Sequence, residues 1–431
     1  MISFQSASES ARRQRNVLAF AKAAIGFDHA QFYTGEPPDP SMRLLTEALS
    51  AVEKTDSHER CQLLVRLGRA LHMRGDPERA EPFNADAIEM ARRLHDDRSL
   101  YEVLLVAHLT PTPASFAQMQ ERRKRLNELL ALAQRTDDVD SYLRSLSVSV
   151  YFAAEAGDAQ RSARELDEFA SLSEQRQMRH HLWVAQHGRA MQALLAGDFD
   201  AAEKFAETAY QTGSKTHGDV ANAVYGVQMF TIRREQGRLA EVAPFIKRFI
   251  DKDPQWRAWR PEFALIASDL GFAERAQRIL DELREANFDL AFDAKRSTTL
   301  SYLAEVCAAQ ADRISASRLY ELLEPYRHMT ITAGIMTVCY GSAGRFLGEL
   351  AHVLADWDQA EEHFEHALQM NEAMQAWPWL AHTQHWFARM LRNRGRQNDI
   401  KGVEHLLSQS WTTANRLGMI ALKERLRKEQ N

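Results

Sequence analysis

Residues 341–370, GSAGRFLGELAHVLADWDQAEEHFEHALQM, hold two helices and the turn between them. Leu347, Gly348 and Ala351 place small or apolar side chains on one face, the chain turns at Ala355-Asp356, and Ala360, Phe364 and Ala367 recur at helical spacing beyond it. Gly348 and Ala360 let two helix backbones approach closely, while Phe364 is large enough to fill the wedge against a neighbouring pair. A single hairpin of this kind cannot bury its apolar face alone, so the pattern predicts stacked copies.

Outward from this unit the arrangement returns. Leu64, Leu67, Gly68 and Leu71 precede a turn at Gly75-Asp76-Pro77, and Ala80 and Ala87 follow it. Further turn marks stand at Gly157-Asp158, Gly197-Asp198, Gly237-Arg238 and Gly271-Phe272, with intervals of 40, 40 and 34 residues, and then at Ala311-Asp312, Ala355-Asp356 and Gly395. Glycine is favoured where a helix ends in a positive-φ residue. At the start of the chain, a helix near Asn16–Gln31 is stopped by the prolines at 37, 38 and 40, and Leu44–Val52 is its partner. At the end, a basic and polar helix over Thr412–Lys428 is predicted as a cap.

The Leu-Gly pair, the later small residue, the Phe and the final Ala of 341–370 match the tetratricopeptide signature, and the resemblance implies an all-α fold: a right-handed, tetratricopeptide-like α-solenoid of about ten helical hairpins. The expected organisation is a capping hairpin over 1–56, the solenoid over 57–410, and a capping helix over 411–431. Two stretches break the pattern: 251–262, DKDPQWRAWRPE, at a repeat boundary, and 324–341, EPYRHMTITAGIMTVCYG, whose β-branched residues favour an extended course. The segments GRAMQALLAGDFDAAEKFA, RREQGRLAEVAPFI and 341–367, with AIGFDHAQFYTGEPPDP and ANRLGMIALKERL, also resemble the C-terminal repeat region of large bacterial signalling proteins. Those proteins join an ATPase core to such repeats, some with a preceding cyclase domain or a following helix-turn-helix domain. No G-x-x-x-x-G-K-[ST] motif occurs here, so the nucleotide-binding part of that resemblance does not carry over.

At 431 residues, with 45% hydrophobic and 26% charged residues, the composition fits a folded helical chain in which each repeat buries its face against its neighbours. A formal charge of -5 gives no support to a direct nucleic-acid partner. The three cysteines are far apart in sequence and lack metal-ligand spacing, which points to reduced thiols and a cytoplasmic setting. No apolar run approaches the roughly 20 residues that span a bilayer, and the N-terminus reads as a helix start, not a signal peptide. No cofactor or metal is expected.

In such arrays the first helix of each pair lines the concave surface. On that register Arg345, His352, His382, His385 and Arg389 are candidates to recognise an acidic peptide or small anion. Trp183 and His187 share a helical face and either stack on a ligand or fill an inter-repeat seam. Trp256, Trp259 and Arg260 offer a stacking and cation–π platform, or form a packed elbow. His363 and His366 have metal-like spacing, but the stripe Ala360, Phe364 and Ala367 leaves them on the flank. The expectation is a non-enzymatic binding or sensor module for a protein or peptide, with a small-molecule ligand as a further option. The alternatives are an enzyme whose site lies in 324–341, using His328 or Tyr340, and a homo-oligomeric scaffold.

Overall fold

Glycine-aspartate turns set the rhythm of the chain. At Gly75, Gly157 and Gly197 the glycine takes φ of 82°, 74° and 83° and ends one helix. The following Asp76, Asp158 and Asp198 then accept the backbone N–H of Arg79, Arg161 and Ala201 at 3.3, 3.1 and 3.0 Å and so begin the next helix. Ala311-Asp312 and Ala355-Asp356 make the same turn with alanine at φ 52° and 61°.

The structure is a computed structural model that describes residues 1–32, 37–109, 116–136, 138–242, 260–290 and 295–430. Among these residues there are twenty α-helices and one two-stranded sheet, arranged as an all-α helical-repeat solenoid with that single hairpin inserted. The chain divides into two compact units, one of Met1–Val148 and Leu290–Ala294, the other of Ser149–Asp289 and Lys295–Asn431. The expected borders at 56 and 410 do not coincide with this division.

The first unit contains α1 (Ile2–Arg13), α2 (Val17–Phe32), α3 (Asp39–Ala51), α4 (His58–Met73), α5 (Pro77–Arg93), α6 (Asp97–His108), α7 (Phe116–Arg135) and the start of α8 (Val139–Glu155). Its N-terminal stretch is therefore three helices where a hairpin was expected. Phe20, Ala24, Leu45, Leu63, Leu67 and Leu71 pack together in its core. Asp28 on α2 pairs with the buried Arg69 on α4 and lies 3.7 Å from Arg66.

The second unit runs through α9 (Ala159–Gln175), α10 (Arg179–Ala196), α11 (Phe199–Glu235, bent at Gly218), α12 (Arg260–Asp269), α13 (Ala273–Glu285), α14 (Arg296–Gln310) and α15 (Arg313–Leu323). After a 3-10 turn at Glu324–Tyr326 come β1 (Thr330–Ala333) and β2 (Val338–Ser342), then α16 (Ala343–Leu354), α17 (Trp357–Ala373), α18 (Trp377–Arg394), α19 (Asp399–Leu417) and α20 (Ile420–Gln430). The wedge in α16 and α17 is as the residues imply: a methyl at Gly348 would stand 2.7 Å from the Phe364 ring, and Phe364 stacks on Phe387 of α18 at 5.5 Å.

The C-terminal stretch 411–431 departs from the expected single helix. Gly418, at φ 71°, ends α19 and redirects the chain into α20. Among the described residues no helix is long and apolar enough to cross a membrane.

Candidate functional site

The extended course expected in 324–341 is a β-hairpin, and it is buried on both strands. Its register pairs Thr330 with Ser342, Thr332 with Cys339 and Ala333 with Val338, with a bulge between Thr330 and Thr332. Two isolated strands leave unpaired backbone groups at both edges. Here side chains from the surrounding helices bond several of the hairpin's backbone groups. Thr298 Oγ1 of α14 donates to Thr332 O at 2.8 Å, and Trp379 Nε1 of α18 donates to Cys339 O at 2.8 Å. His187 Nδ1 of α10 donates to Met336 O at 3.2 Å, and Gln228 Nε2 of α11 bridges His187 O and Thr337 O at 2.8 and 2.9 Å. The backbone N–H of Ser342 donates to Asn371 Oδ1 at 2.9 Å, and Thr330 Oγ1 donates to Ala154 O at 2.7 Å. Helices of this unit thus converge on the hairpin as a plug.

Beside the plug lies a layer of buried charge. Arg234 at the end of α11 bridges Asp269 and Glu305, each at 2.5 Å. Arg345 on α16 reaches Glu305 at 3.4 Å and Glu349 at 2.8 Å, and His382 on α18 meets Glu235 at 2.8 Å. Burial of such charges is costly unless each is paired. Burial raises the Glu305 carboxyl, but Arg234 and Arg345 outweigh it and hold it far below the usual carboxylate range. Burial likewise raises Glu235, and the His382 charge and hydrogen bond with the Arg234 charge bring it below its ordinary value. Glu349 goes the other way: burial pushes it up to about 8, Arg345 only partly offsets this, and the Glu305 charge adds to it. Among the described residues, Glu349 Oε2 and Arg345 Nε have no hydrogen-bond partner.

The predicted residues fall into several places. Arg345 and His382 belong to the charged layer and are buried, not presented on an open surface. Trp183 fills a seam, its ring 2.4 Å from where a methyl on Gly213 would lie, with the His187 and His217 rings at 4.9 and 4.2 Å. Burial lowers His187 to about 4, so it sits neutral under the hairpin turn. His352 is packed between Trp357 and Trp386 and is likewise lowered to about 4 by burial and the Arg389 charge. Arg260 is half-buried and pairs with Glu282 at 3.4 Å. Trp256 and Trp259 lie outside the described residues. His363, expected on the flank, is buried and bonded to the Tyr320 hydroxyl at 2.7 Å. Tyr340 is buried with its hydroxyl 2.8 Å from Thr231 Oγ1, whereas His328 is exposed. Among the described residues no group of three or more His, Cys, Asp or Glu is placed to hold a metal.

His385 and Arg389 are engaged by the chain's own last helix. Glu429 of α20 lies 3.0 Å from His385 Nε2, 3.3 Å from Arg389 and 3.7 Å from Arg392. Arg425 of α20 reaches Asp269 at 2.7 Å, and Met419, Leu422 and Leu426 are buried beneath the helix. Burial raises Glu429, but the His385 hydrogen bond and charge and the two arginines outweigh it and hold it below its ordinary value.

Sequence reasoning passed over Arg234, Glu235, Asp269, Glu305, Glu349 and Gln228. Glu305 did carry a signal: it is the one charge within LSYLAEVCAA, where a lone carboxylate has to be paired. Glu349, four residues after Arg345 on the same helical face, carried another.

Residues 61–100 match the sequence model of the tetratricopeptide repeat. No curated protein matches the chain. Among solved structures, a circular tandem repeat protein with novel repeat topology and enhanced subunit contact surfaces is 14% identical, with 100% of this chain and 98% of that one covered at a TM-score of 0.16, a superposition too loose to bear on structure or function. Tetratricopeptide repeats generally mediate protein–protein interaction. The match at 61–100, together with the recurring helical hairpins and their Gly-Asp turns, makes the chain a tetratricopeptide-like helical repeat protein.

Proposed function

We propose that the chain is a non-enzymatic binding module for a protein or peptide partner, working in signal regulation in a bacterial cytoplasm. The observation that carries the reading is the tetratricopeptide match at 61–100 within a run of helical hairpins. The regulatory setting rests on the resemblance of 188–206 and 341–367 to bacterial signalling repeats. A reduced compartment suits the three free cysteines, all buried, with burial pushing each thiol up.

Native mass spectrometry of protein isolated gently from its host tests this. A retained, different polypeptide in fixed stoichiometry is the expected result. A stoichiometric small molecule would make a sensory or catalytic pocket the better reading, and a concentration-dependent homo-oligomer would make the scaffold reading primary.

A further inference from the structure

We propose that α20 is an internal ligand. It covers a helix-binding surface of the second unit whose external partner is an amphipathic helix carrying three spaced apolar anchors and a carboxylate one turn beyond them. This rests on the binding-module reading and names the partner's chemistry.

The apolar anchors of α20 and its approach are Met419, Leu422 and Leu426, all buried, at the three- and four-residue spacing with which a helix fills a hydrophobic groove. One turn further, Glu429 meets the Arg389 and Arg392 guanidinium groups of α18 and lies 3.0 Å from the Nε2 of His385, whose ring burial keeps toward the neutral form. Arg425 reaches the opposite sign, Asp269 at the end of α12. Ile420 rests on the Gly237 turn, where a methyl would stand 3.1 Å from it. The surface therefore takes up three apolar anchors, is cationic at one end and carries the Asp269 carboxylate on one side, and α20 meets each part. His385 and Arg389 are also the residues whose sequence position suggested recognition of an acidic peptide.

The connection to the rest of the chain is short and can be reversed locally. Only Gly418 and Met419 separate α19 from α20, and Gly418 holds the bend through its positive φ of 71°. The residues on both sides favour helix, and a straight helix through Gly418 carries α20 off the surface. A methyl at Gly418 would meet nothing within 4 Å, so Gly418→Ala acts through backbone conformation alone.

A fluorescent peptide of residues 416–431, RLGMIALKERLRKEQN, added to the full chain is the test. An internal helix competes at high effective concentration, so the peptide should bind the wild type weakly and the Glu429→Arg and Gly418→Ala chains about tenfold or more tightly than the wild type. A peptide carrying Glu→Arg at the position of Glu429 should lose binding to both variants. Equal affinity for wild type and both folded variants would overturn the proposal. If the variants fold poorly, hydrogen exchange on the wild-type chain decides: amides of 420–430 should exchange by a local opening, well ahead of those in α18, and equal protection would overturn it. A concentration-dependent dimer that exchanges α20 between copies would overturn it in favour of a second copy as occupant. A foreign chain retained in native mass spectrometry but not displaced by the peptide would reject this inference and leave the binding-module reading standing.

Discussion

Glu349 is fully buried beside Arg345, and its carboxyl is pushed up to about 8. A carboxyl raised in the folded state stays protonated while its unfolded counterpart ionises, so the folded form loses stability as pH climbs from about 4.5 to about 8. Glu349→Gln keeps an acceptor for Arg345 Nη1 and removes the charge. It should therefore leave stability at pH 5 nearly unchanged and raise it by a few, up to about 4, kcal/mol at pH 9. Chemical denaturation at the two pH values checks this, and parallel pH slopes for the two proteins would reject it. Arg234 is the opposite case, since it balances two carboxylates at once. Arg234→Met leaves Asp269 and Glu305 short of a counter-charge and should cost about 3–5 kcal/mol in the same assay.

At the scale of elements, the turns carry separable contributions. Ala355 occupies a left-handed conformation at φ 61° on the surface, where glycine suffers no Cβ clash. Ala355→Gly should stabilise by about 0.5–1 kcal/mol, the relief of strain exceeding the glycine's extra entropy loss. Asp158→Ala removes the acceptor for the Arg161 N–H and should cost about 1 kcal/mol. Thermal melts of the two variants moving in opposite directions would confirm both. These turns were legible in the sequence as Gly-Asp and Ala-Asp pairs, and so was the Gly348–Phe364 wedge, because each depends on residues close together in the chain. The β-branched run at 330–338 announced extended backbone but not its destination, since its partners Ala154, His187, Gln228 and Trp379 are brought to it only by folding. For the same reason the sequence placed Arg345, His382 and His385 in helices, yet could not show that Glu305, Glu235 and Glu429 would meet them. Gly418 was hidden differently: helix-forming residues flank it on both sides, and α20 turns back for contacts that are distant in sequence.

At the scale of the second unit, the hairpin alters how a repeat array behaves. An open solenoid is held by neighbour-to-neighbour contacts and frays from its ends. Here one insert bonds to α8, α10, α11, α14 and α18, linking repeats far apart in the chain. We expect amides in α10, α14, α16 and α18 to share one protection free energy in native-state hydrogen exchange, and a graded loss of protection along the unit would contradict this. Trp379→Phe, which leaves Cys339 O without its donor, should lower that shared value by about 1–2 kcal/mol in all four helices together.

A chain made from its N-terminus emerges from the ribosome with α8, α10, α11 and α14 already synthesised while residues 330–342 are still to come. Until the hairpin arrives, Gln228, Thr298 and the imidazole of His187 have only solvent, or one another, to bond to. The second unit therefore cannot mature one repeat at a time as translation proceeds. Its earlier helices wait, partly assembled and in need of protection from other nascent chains, for a segment that is translated after them.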